Sequence, residues 1–192
     1  MKSLPRSFFE RNTRLVALEL IGHLLVLTQD GVTLSGRIVE TEAYFGSDDP
    51  ASHAFRGQTP RNRPMFGPAG MSYVYFTYGN HYCLNVVTEG DGIAGAVLIR
   101  ALEPVQGISV MKRRRGVSGL TQIASGPAKL TQSFGIGREH SEQDLTKPPF
   151  FLAEGKPSDF VRIEVATRIG ISSAQDRLLR FYELDNPHVS RT

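Results

Sequence analysis

The stretch YVYFTYGNHYCLNVVT, residues 73–88, carries the strongest structural signal in this chain of 192 residues. Residues 73–78 alternate in the manner of a strand, and Gly79-Asn80 is a two-residue turn signal. Residues 81–88 are again rich in aromatic and β-branched side chains, which favour strands. Two such runs joined by a glycine-containing turn predict an antiparallel β-hairpin.

The segments before and after this hairpin mix helical and strand patterns. Residues 15–27 are mostly apolar with helical spacing, and Asn12-Thr13 precedes them as an N-cap. This pattern predicts a core-packed helix that leads into a strand. Asp30-Gly31 predicts a turn, and residues 32–40 and 96–101 predict two further strands.

The remaining segments predict loops and one further helix. Residues 125–130 open a helix, because Ser or Gly can cap it and the proline suits its first turn. Residues 46–70 are a long polar loop, and loops of that length are usually functional. Residues 113–122 and 155–159 are predicted to be mobile. Clustered strands with helices at intervals favour an α+β fold, with one domain spanning residues 1–192.

The composition is that of an ordinary globular protein, with 40% hydrophobic and 21% charged residues. The sequence holds no run of about 20 apolar residues, so no membrane span is predicted. It starts without an apolar signal segment, so we expect a cytoplasmic protein.

Cys83 is the single cysteine, which excludes an internal disulfide and a cysteine-based zinc site and predicts a buried thiol. The net charge of +3 is compatible with a nucleic-acid partner but does not require one.

Two carboxylates lie close together just before the long loop. Alternation along a strand places Glu40 and Glu42 on one face, with Tyr44 following on that side. Such a pair could serve acid–base chemistry or simply face solvent, and the residues alone leave both interpretations open. His53 lies further along, within the loop, where it could be solvated or reach the edge of a ligand.

Aromatic side chains are concentrated on the hairpin. Core packing explains two or three of the tyrosines at positions 73, 75, 78 and 82, but it does not explain Tyr78, which lies beside the turn, where burial is not expected. An exposed aromatic side chain at a hairpin tip suits a wedge or a stacking surface for nucleic-acid bases. Asn85 lies within a predicted strand, where a buried polar side chain must find hydrogen-bond partners.

Basic residues complete the pattern. Arg100 also lies within a strand, whereas Arg61 and Arg63 share the polar loop. The run 112–115 is either a solvated segment or a phosphate contact. An acid at a strand end, stacking aromatics, a wedge and basic loops together form the set that extrusion of a base from duplex DNA requires.

In these residues the chain resembles the alkyladenine DNA glycosylase family, the mammalian type of 3-methyladenine DNA glycosylase, which is also widespread in bacteria. The resemblance runs nearly from end to end, and several motifs are too long to arise by chance. The matching segments are residues 37–44, 58–63, 65–66, 73–75, 78–79, 85, 90–92, 97–104, 125–130, 168–171, 179–182 and 186–187, with residues 9, 15–17 and 20–22 near the start.

The resemblance implies roles for individual residues. It makes Glu42 the general base that activates the attacking water, which Arg100 and the backbone carbonyl of Ile169 help to hold. It matches Asn85 to the residue that obstructs the 2-amino group of normal guanine, and Tyr78 to the intercalating tyrosine. The residues that it places in or near the pocket for the flipped base are Tyr44, His53, Tyr75 and Leu98.

The resemblance also implies a fold and partners. The expected fold is one α+β domain around a curved antiparallel β-sheet, with surrounding helices and a protruding hairpin that enters the minor groove. The expected partner is double-stranded DNA containing damaged purines, bound by a monomer that needs neither metal nor cofactor and works at the bacterial nucleoid. The candidates for contact with the DNA backbone are Arg61, Arg63 and Lys129, the last because it follows a helix N-terminus that favours anions.

Two other classes stay open on the sequence. A related fold occurs in the C-terminal domain of methionyl-tRNA formyltransferases, which suggests a non-catalytic nucleic-acid-binding module, although Glu42 together with Arg100 argues against it. A metal-dependent hydrolase or nuclease could use Glu40, Glu42 and His53. The sequence offers no spacing of two histidines and a carboxylate in support of that class.

Overall fold

In a computed structural model of the protein, residues 1–77, 79–155 and 162–190 are described. The helices are α1 (Arg6–Phe9), α2 (Thr13–Glu19), α3 (Ile108–Arg115) and α4 (Pro127–Phe134), with short 3-10 segments at Arg63–Phe66, Leu120–Gln122 and Arg138–His140. The strands are β1 (Leu24–Gln29), β2 (Val32–Tyr44), β3 (Ser72–Thr77), β4 (His81–Val87), β5 (Ala96–Gln106), β6 (Phe150–Ala153), β7 (Ile163–Ala166) and β8 (Arg180–Glu183). None of the helices in these ranges is long and apolar enough to span a bilayer.

The strands form one antiparallel sheet in the order β3-β4-β5-β2-β1-β6, with β8 paired to β2 and β7 to β8. Strand β2 pairs with β1 along its first half and with β8 at Glu40–Glu42, while its other edge runs along β5. Register shifts interrupt the β2–β5 pairing between Ser35 and Thr41. Such bulges bend a strand and increase its twist, so the sheet curls. The α+β fold with a curved antiparallel sheet is thereby confirmed.

Strands β3 and β4 are the antiparallel pair that the sequence predicts at residues 73–88. Tyr73 lies opposite Asn85 and Tyr75 lies opposite Cys83, so these four side chains share one face of the sheet. The turn that joins the strands contains Gly79 at a φ of +74°, a left-handed conformation that favours glycine. Tyr78, the predicted wedge, lies outside the described residues.

Several element boundaries differ from the sequence prediction. The helix predicted over residues 15–27 is α2, which ends at Glu19 before Gly22, at a φ of +91°, turns the chain toward β1. The Asn12 side chain caps this helix as expected, accepting a hydrogen bond from a backbone amide in its first turn. Strand β2 extends beyond its predicted end at residue 40. Residues 38–43 are buried in succession, and this hides the two-residue alternation by which a strand is recognised.

The mobility predicted for residues 113–122 is wrong at the start of that segment. Residues 113–115 form the last turn of α3, where basic side chains are favoured by the partial negative charge of the helix end. Arg114 also donates to the backbone carbonyl of Phe134 at the end of α4, so its charge stabilises a second helix. Residues 156–159 of the other predicted mobile segment lie outside the described residues.

The helices α2 and α4 cover one side of the curled sheet and share its hydrophobic core. Val16 of α2 and Phe134 of α4 are fully buried, as are Ile38 and Ile99 on the sheet. Phe181 lies on β8 opposite Thr41 of β2 and is also fully buried. Its packing therefore holds β8 against the part of β2 that carries Glu40 and Glu42.

We expect Phe181→Ala to lower the free energy of unfolding by about 3 to 5 kcal/mol, because the substitution removes a buried ring and leaves a cavity. Urea denaturation followed by circular dichroism measures this loss. Phe55→Ala is the matched control, since Phe55 is 40% exposed and should change stability little. Equal losses in the two variants would show that Phe181 does not anchor β8.

Candidate active site

A cavity of about 300 Å³ opens beside the end of β2. Its lining comes from β2, the long loop, the paired strands β3 and β4, β5 and the segment at residues 169–172, which are distant in sequence. The volume is at the lower end of the range for small-molecule pockets. The cavity-lining residues that the sequence predicted for the site are Tyr44, His53, Tyr75, Asn85, Leu98, Arg100 and Ile169.

Glu42 lies beside this cavity with a fully buried side chain. The Tyr44 hydroxyl donates to its Oε2 at 2.7 Å, and the backbone amide of Ile169 donates to its Oε1 at 2.8 Å. Arg100 Nη1 lies 3.3 Å from the same Oε1. These contacts provide the hydrogen bonds and the opposite charge that a buried carboxylate requires. The geometry brings together the three residues predicted for catalysis, Glu42, Arg100 and Ile169.

Glu40 is the second buried carboxylate of β2, and it faces away from solvent rather than into it. Its Oε1 accepts from Arg100 Nε at 3.1 Å and from Arg180 Nε at 2.6 Å. The Ser190 backbone amide donates to Oε2 of Glu40 at 2.8 Å, and the Ser190 hydroxyl donates to Oε1 at 2.9 Å. Arg100 therefore bridges Glu40 and Glu42, and the orientation of its guanidinium is set by both carboxylates.

A second buried ion pair lies next to Tyr44. Arg168 donates to the two Asp49 oxygens at 2.6 and 2.7 Å and to the backbone carbonyl of Ala43 at 3.0 Å. Its guanidinium carbon lies 4.6 Å from the centroid of the Tyr44 ring. No pattern in the sequence predicts a role for Asp49 or Arg168. An aspartate in a polar loop resembles any solvated acid, and its partner is 119 residues away.

His53 and two tyrosines form the aromatic walls of the cavity. The His53 and Tyr75 ring centroids are 4.5 Å apart at an angle of 74°, and those of Tyr73 and Tyr75 are 5.3 Å apart. His53 Nδ1 lies 2.9 Å from the Tyr73 hydroxyl. Burial, and secondarily the nearby Arg61, lower the pKa of His53, so the imidazole is neutral at neutral pH. Burial raises the pKa of Tyr73 to about 12, so its hydroxyl keeps its proton.

Asn85 is 4% exposed and lies in β4, between Tyr73 of β3 and Leu98 of β5. Its Nδ2 donates to the backbone carbonyl of Tyr73 at 3.0 Å. This hydrogen bond fixes the amide plane at the cavity wall. The thiol of Cys83 is buried on the same strand, as predicted, and burial raises its pKa.

The residues predicted to contact the DNA backbone are all exposed, but their surroundings differ. Arg61 Nη2 lies 3.3 Å from the carbonyl oxygen of Phe76, and the guanidinium is 5.7 Å from the Tyr75 ring centroid. Lys129 lies in the first turn of α4. Arg63 is already engaged, because it makes two contacts of 2.9 and 3.0 Å with the Glu142 carboxylate. Arg61 is therefore packed near the aromatic wall of the cavity.

The described residues contain no group of three or more His, Cys, Asp or Glu side chains arranged to hold a metal ion. Glu40, Glu42 and His53, the set considered for a metal-dependent hydrolase, do not form such a group. Arginine and serine donors satisfy Glu40, and Arg100 together with the Tyr44 and Ile169 donors satisfies Glu42.

The fold thus places a buried acid at the edge of an aromatic cavity, and comparison with known proteins identifies the family of the chain. The model of the methylpurine-DNA glycosylase (MPG) family matches residues 7–187. The chain belongs to this family.

Similar proteins occur in several microorganisms. A protein of Carboxydothermus hydrogenoformans is 50% identical over 189 residues, which cover 98% of each chain. Proteins of Methanoculleus marisnigri and Chlorobium phaeobacteroides are 48% and 46% identical, and the matches cover 98% and 100% of this chain and 99% and 98% of theirs. The descriptions of all three name 3-methyladenine DNA glycosylase.

The neutral state of His53 predicts how stability depends on pH. The unfolded chain takes up a proton on this side chain near pH 6.5, whereas the folded chain does so only at lower pH. Stability should therefore fall as the pH drops below about 6.5. We expect His53→Gln to flatten the decrease of the melting temperature between pH 7 and 5, measured by thermal unfolding.

Burial also lowers the pKa values of His23 and His188. These two side chains therefore account for the decrease in melting temperature that remains in the variant. Between pH 7.5 and 8.5 the imidazole is neutral in both states, so wild type and variant should show the same slope there. A variant that loses stability on acidification as steeply as wild type would show that His53 protonates freely in the fold.

Proposed function

We propose that the chain is a monofunctional DNA glycosylase that flips an alkylated or deaminated purine out of duplex DNA and hydrolyses its N-glycosidic bond. The cavity receives the flipped base, and an abasic site remains in the DNA. The observation that carries the proposal is the Glu42 carboxylate, buried beside an aromatic cavity and held by Tyr44, Ile169 and Arg100. Membership of the methylpurine-DNA glycosylase family supports it.

The chemistry follows from the placement of Glu42. As the bond between C1′ and the purine nitrogen breaks, its electron pair leaves with the base and positive charge develops on the sugar. The ionised carboxylate stabilises that charge and takes a proton from the water whose oxygen attacks C1′. Tyr44 occupies one acceptor position of Oε2, and the oxygen retains a second for this water. General base catalysis of this kind contributes roughly 10²- to 10⁴-fold in rate.

Arg100 and Ile169 have different tasks. The Arg100 guanidinium, held between two carboxylates, keeps Glu42 in place and is available to the attacking water. The Ile169 amide orients Oε1, and its carbonyl, on the same backbone segment, is the proposed further contact of the water. Because these donors are already in position, no reorganisation is required when the transition state forms.

The aromatic walls select the base. Tyr44, His53 and Tyr75 present faces on which a purine stacks, with Leu98 beside them. Damaged pairs cost less to open than normal pairs, which favours lesions at the flipping step. The proposed substrates are 3-methyladenine, 7-methylguanine, hypoxanthine and ethenoadenine. Asn85, fixed by its bond to the Tyr73 carbonyl, obstructs the 2-amino group of normal guanine.

DNA engagement is the remaining part of the proposal. Tyr78 intercalates into the gap that the flipped nucleotide leaves, and Arg61, Arg63 and Lys129 contact phosphates. The protein acts as a monomer of one domain in the cytoplasm, at the nucleoid, and the reaction requires neither metal nor cofactor.

The first test is Glu42→Gln, a nearly isosteric change that removes the base. Lesion binding should persist, because the amide fills the same space and one negative charge near DNA is lost. Single-turnover release of hypoxanthine from a duplex should fall by orders of magnitude, because an amide neither takes the proton nor stabilises the developing cation. Binding is measured in parallel, and activity in EDTA separates this mechanism from metal-dependent hydrolysis.

Glu40→Gln is the matched control for this test. Glu40 lies two residues away on β2, is equally buried and shares Arg100 with Glu42. We expect a lower melting temperature, because Arg100 and Arg180 lose a charged partner, but a far smaller loss of excision rate. If Glu40→Gln were the more damaging change, or if Glu42→Gln cleaved at near wild-type rate, the catalytic assignment would be wrong.

The DNA contacts are tested through salt. Each true phosphate contact that is neutralised should reduce the slope of log affinity against log salt by about 0.9. We expect this reduction for Arg61→Gln and Lys129→Gln, and a smaller one for Arg63→Gln because Glu142 already pairs with that guanidinium. Fluorescence anisotropy on lesion duplexes measures the slopes. Wild-type slopes in all three variants would place the DNA on another surface.

A further inference from the structure

A fixed positive charge lies behind one wall of the cavity. The Arg168 and Asp49 side chains are both fully buried, and the Arg168 guanidinium is stacked 4.6 Å from the centre of the Tyr44 ring. Tyr44 lines the cavity, whereas neither Arg168 nor Asp49 is among its lining residues. The Tyr44 ring therefore separates the guanidinium from whatever occupies the cavity.

This arrangement differs from that at the other aromatic wall. Arg61 lies 5.7 Å from the centre of the Tyr75 ring, but Arg61 is exposed and its charge is screened by solvent and salt. The charge of Arg168 is shielded from water and acts at closer range. Its guanidinium makes two hydrogen bonds with the Asp49 carboxylate.

We propose that Arg168, acting through Tyr44, is a specificity-determining residue that disfavours cationic purines relative to neutral ones. The inference rests on the proposed function, in which the flipped base stacks on Tyr44. A tyrosine face attracts a cation because its π electrons are negative. The Arg168 guanidinium on the far face of the ring weakens this attraction for a second cation. Its positive charge also repels a cationic base in front of the ring.

The distance makes the effect measurable. A base stacked about 3.5 Å in front of the ring lies roughly 8 Å from the guanidinium, close enough for two unscreened charges to interact appreciably. A neutral purine such as hypoxanthine feels little of this repulsion. A base that is already positively charged, such as 7-methylguanine, feels all of it. The Arg168 guanidinium therefore reduces the difference in excision rate between cationic lesions, which are good leaving groups, and neutral ones.

Removing the charge of Asp49 should shift the selectivity between cationic and neutral bases in the direction opposite to removing the charge of Arg168. The carboxylate offsets part of the positive charge, so removing Asp49 should strengthen the repulsion and removing Arg168 should abolish it. A purely structural role for the ion pair predicts something else: either change would loosen Tyr44 and slow both substrates together. Opposite shifts in selectivity therefore distinguish electrostatic selection from support of the fold.

The experiment measures single-turnover release of 7-methylguanine and of hypoxanthine from otherwise identical duplexes, with the enzyme below saturation. Comparing the ratio of the two rates between variants cancels the flipping and leaving-group terms of each substrate. We expect Arg168→Gln to raise the ratio of 7-methylguanine to hypoxanthine release on the order of fivefold. Asp49→Asn should lower it. Arg11→Gln is the matched control, because Arg11 stacks 4.5 Å from Phe8 away from the cavity, and its ratio should equal that of wild type.

The double variant Asp49→Asn/Arg168→Gln carries the test if a single variant does not fold, because two amides retain a hydrogen bond without either charge. Its ratio should lie above that of wild type, since the guanidinium and not the carboxylate is stacked on the ring. An unchanged ratio, or shifts in the same direction in both single variants, would overturn the inference while the proposed function stands. Release of neither base by wild type would overturn the proposed function and this inference with it.

Discussion

Strand β2 buries two carboxylates, and the arrangement of the site follows from the need to compensate them. Glu40 and Glu42 are both fully shielded from solvent, and an uncompensated buried charge costs several kcal/mol. Arg100 on the neighbouring strand lies between them, within 3.1 Å of one carboxylate and 3.3 Å of the other. Arg180 on β8 and both donors of Ser190 also contact Glu40. Arg100 is thus shared between the two sites, because it compensates Glu40 and also holds Glu42 in position.

The pairing of buried charges continues on the far side of the Tyr44 ring. Within the described ranges, three buried carboxylates and three buried guanidiniums surround the end of β2, and each carboxylate contacts at least one guanidinium. They are Glu40, Glu42 and Asp49 on one side and Arg100, Arg168 and Arg180 on the other. A set of paired charges with fixed donors is preorganised, which is the condition under which electrostatic stabilisation of a transition state is strongest. Because each charge has a partner, the fold tolerates this density of ions in its interior.

The parts of the structure that local patterns determine could be predicted from the sequence. The antiparallel pair β3–β4 follows from alternation around a glycine turn, and α4 follows from a proline in its first turn. The family motifs predicted that Glu42, Arg100 and Ile169 would meet, and the geometry shows their contacts. The insertion of Tyr78 into DNA stays a prediction, since that residue lies outside the described ranges.

The parts that could not be predicted depend on contacts between distant segments. Asp49 and Arg168 are separated by 119 positions, and nothing in a polar loop marks its aspartate as one half of a buried ion pair. The sequence pattern ends β2 at residue 40, four residues too early, for a related reason. Burial on both faces removes the alternation by which a strand is recognised, and it is the sheet and helices packed around β2 that cause this burial. A basic run such as residues 113–115 usually favours a solvated segment, whereas here the guanidiniums of Arg114 and Arg115 both donate hydrogen bonds to α4.

The late position of Arg168, Arg180 and Ser190 in the chain has a consequence for synthesis on the ribosome. Strands β1 to β5, with Glu40, Glu42 and Arg100, are complete by residue 106, yet Glu40 then lacks Arg180 and both donors of Ser190. The Tyr44 ring also lacks the guanidinium behind it and Glu42 lacks the Ile169 amide. A nascent chain therefore carries its acid before it carries the groups that orient it. The set of donors around the two carboxylates is therefore completed only when the segment from Arg168 to Ser190 has packed against β2.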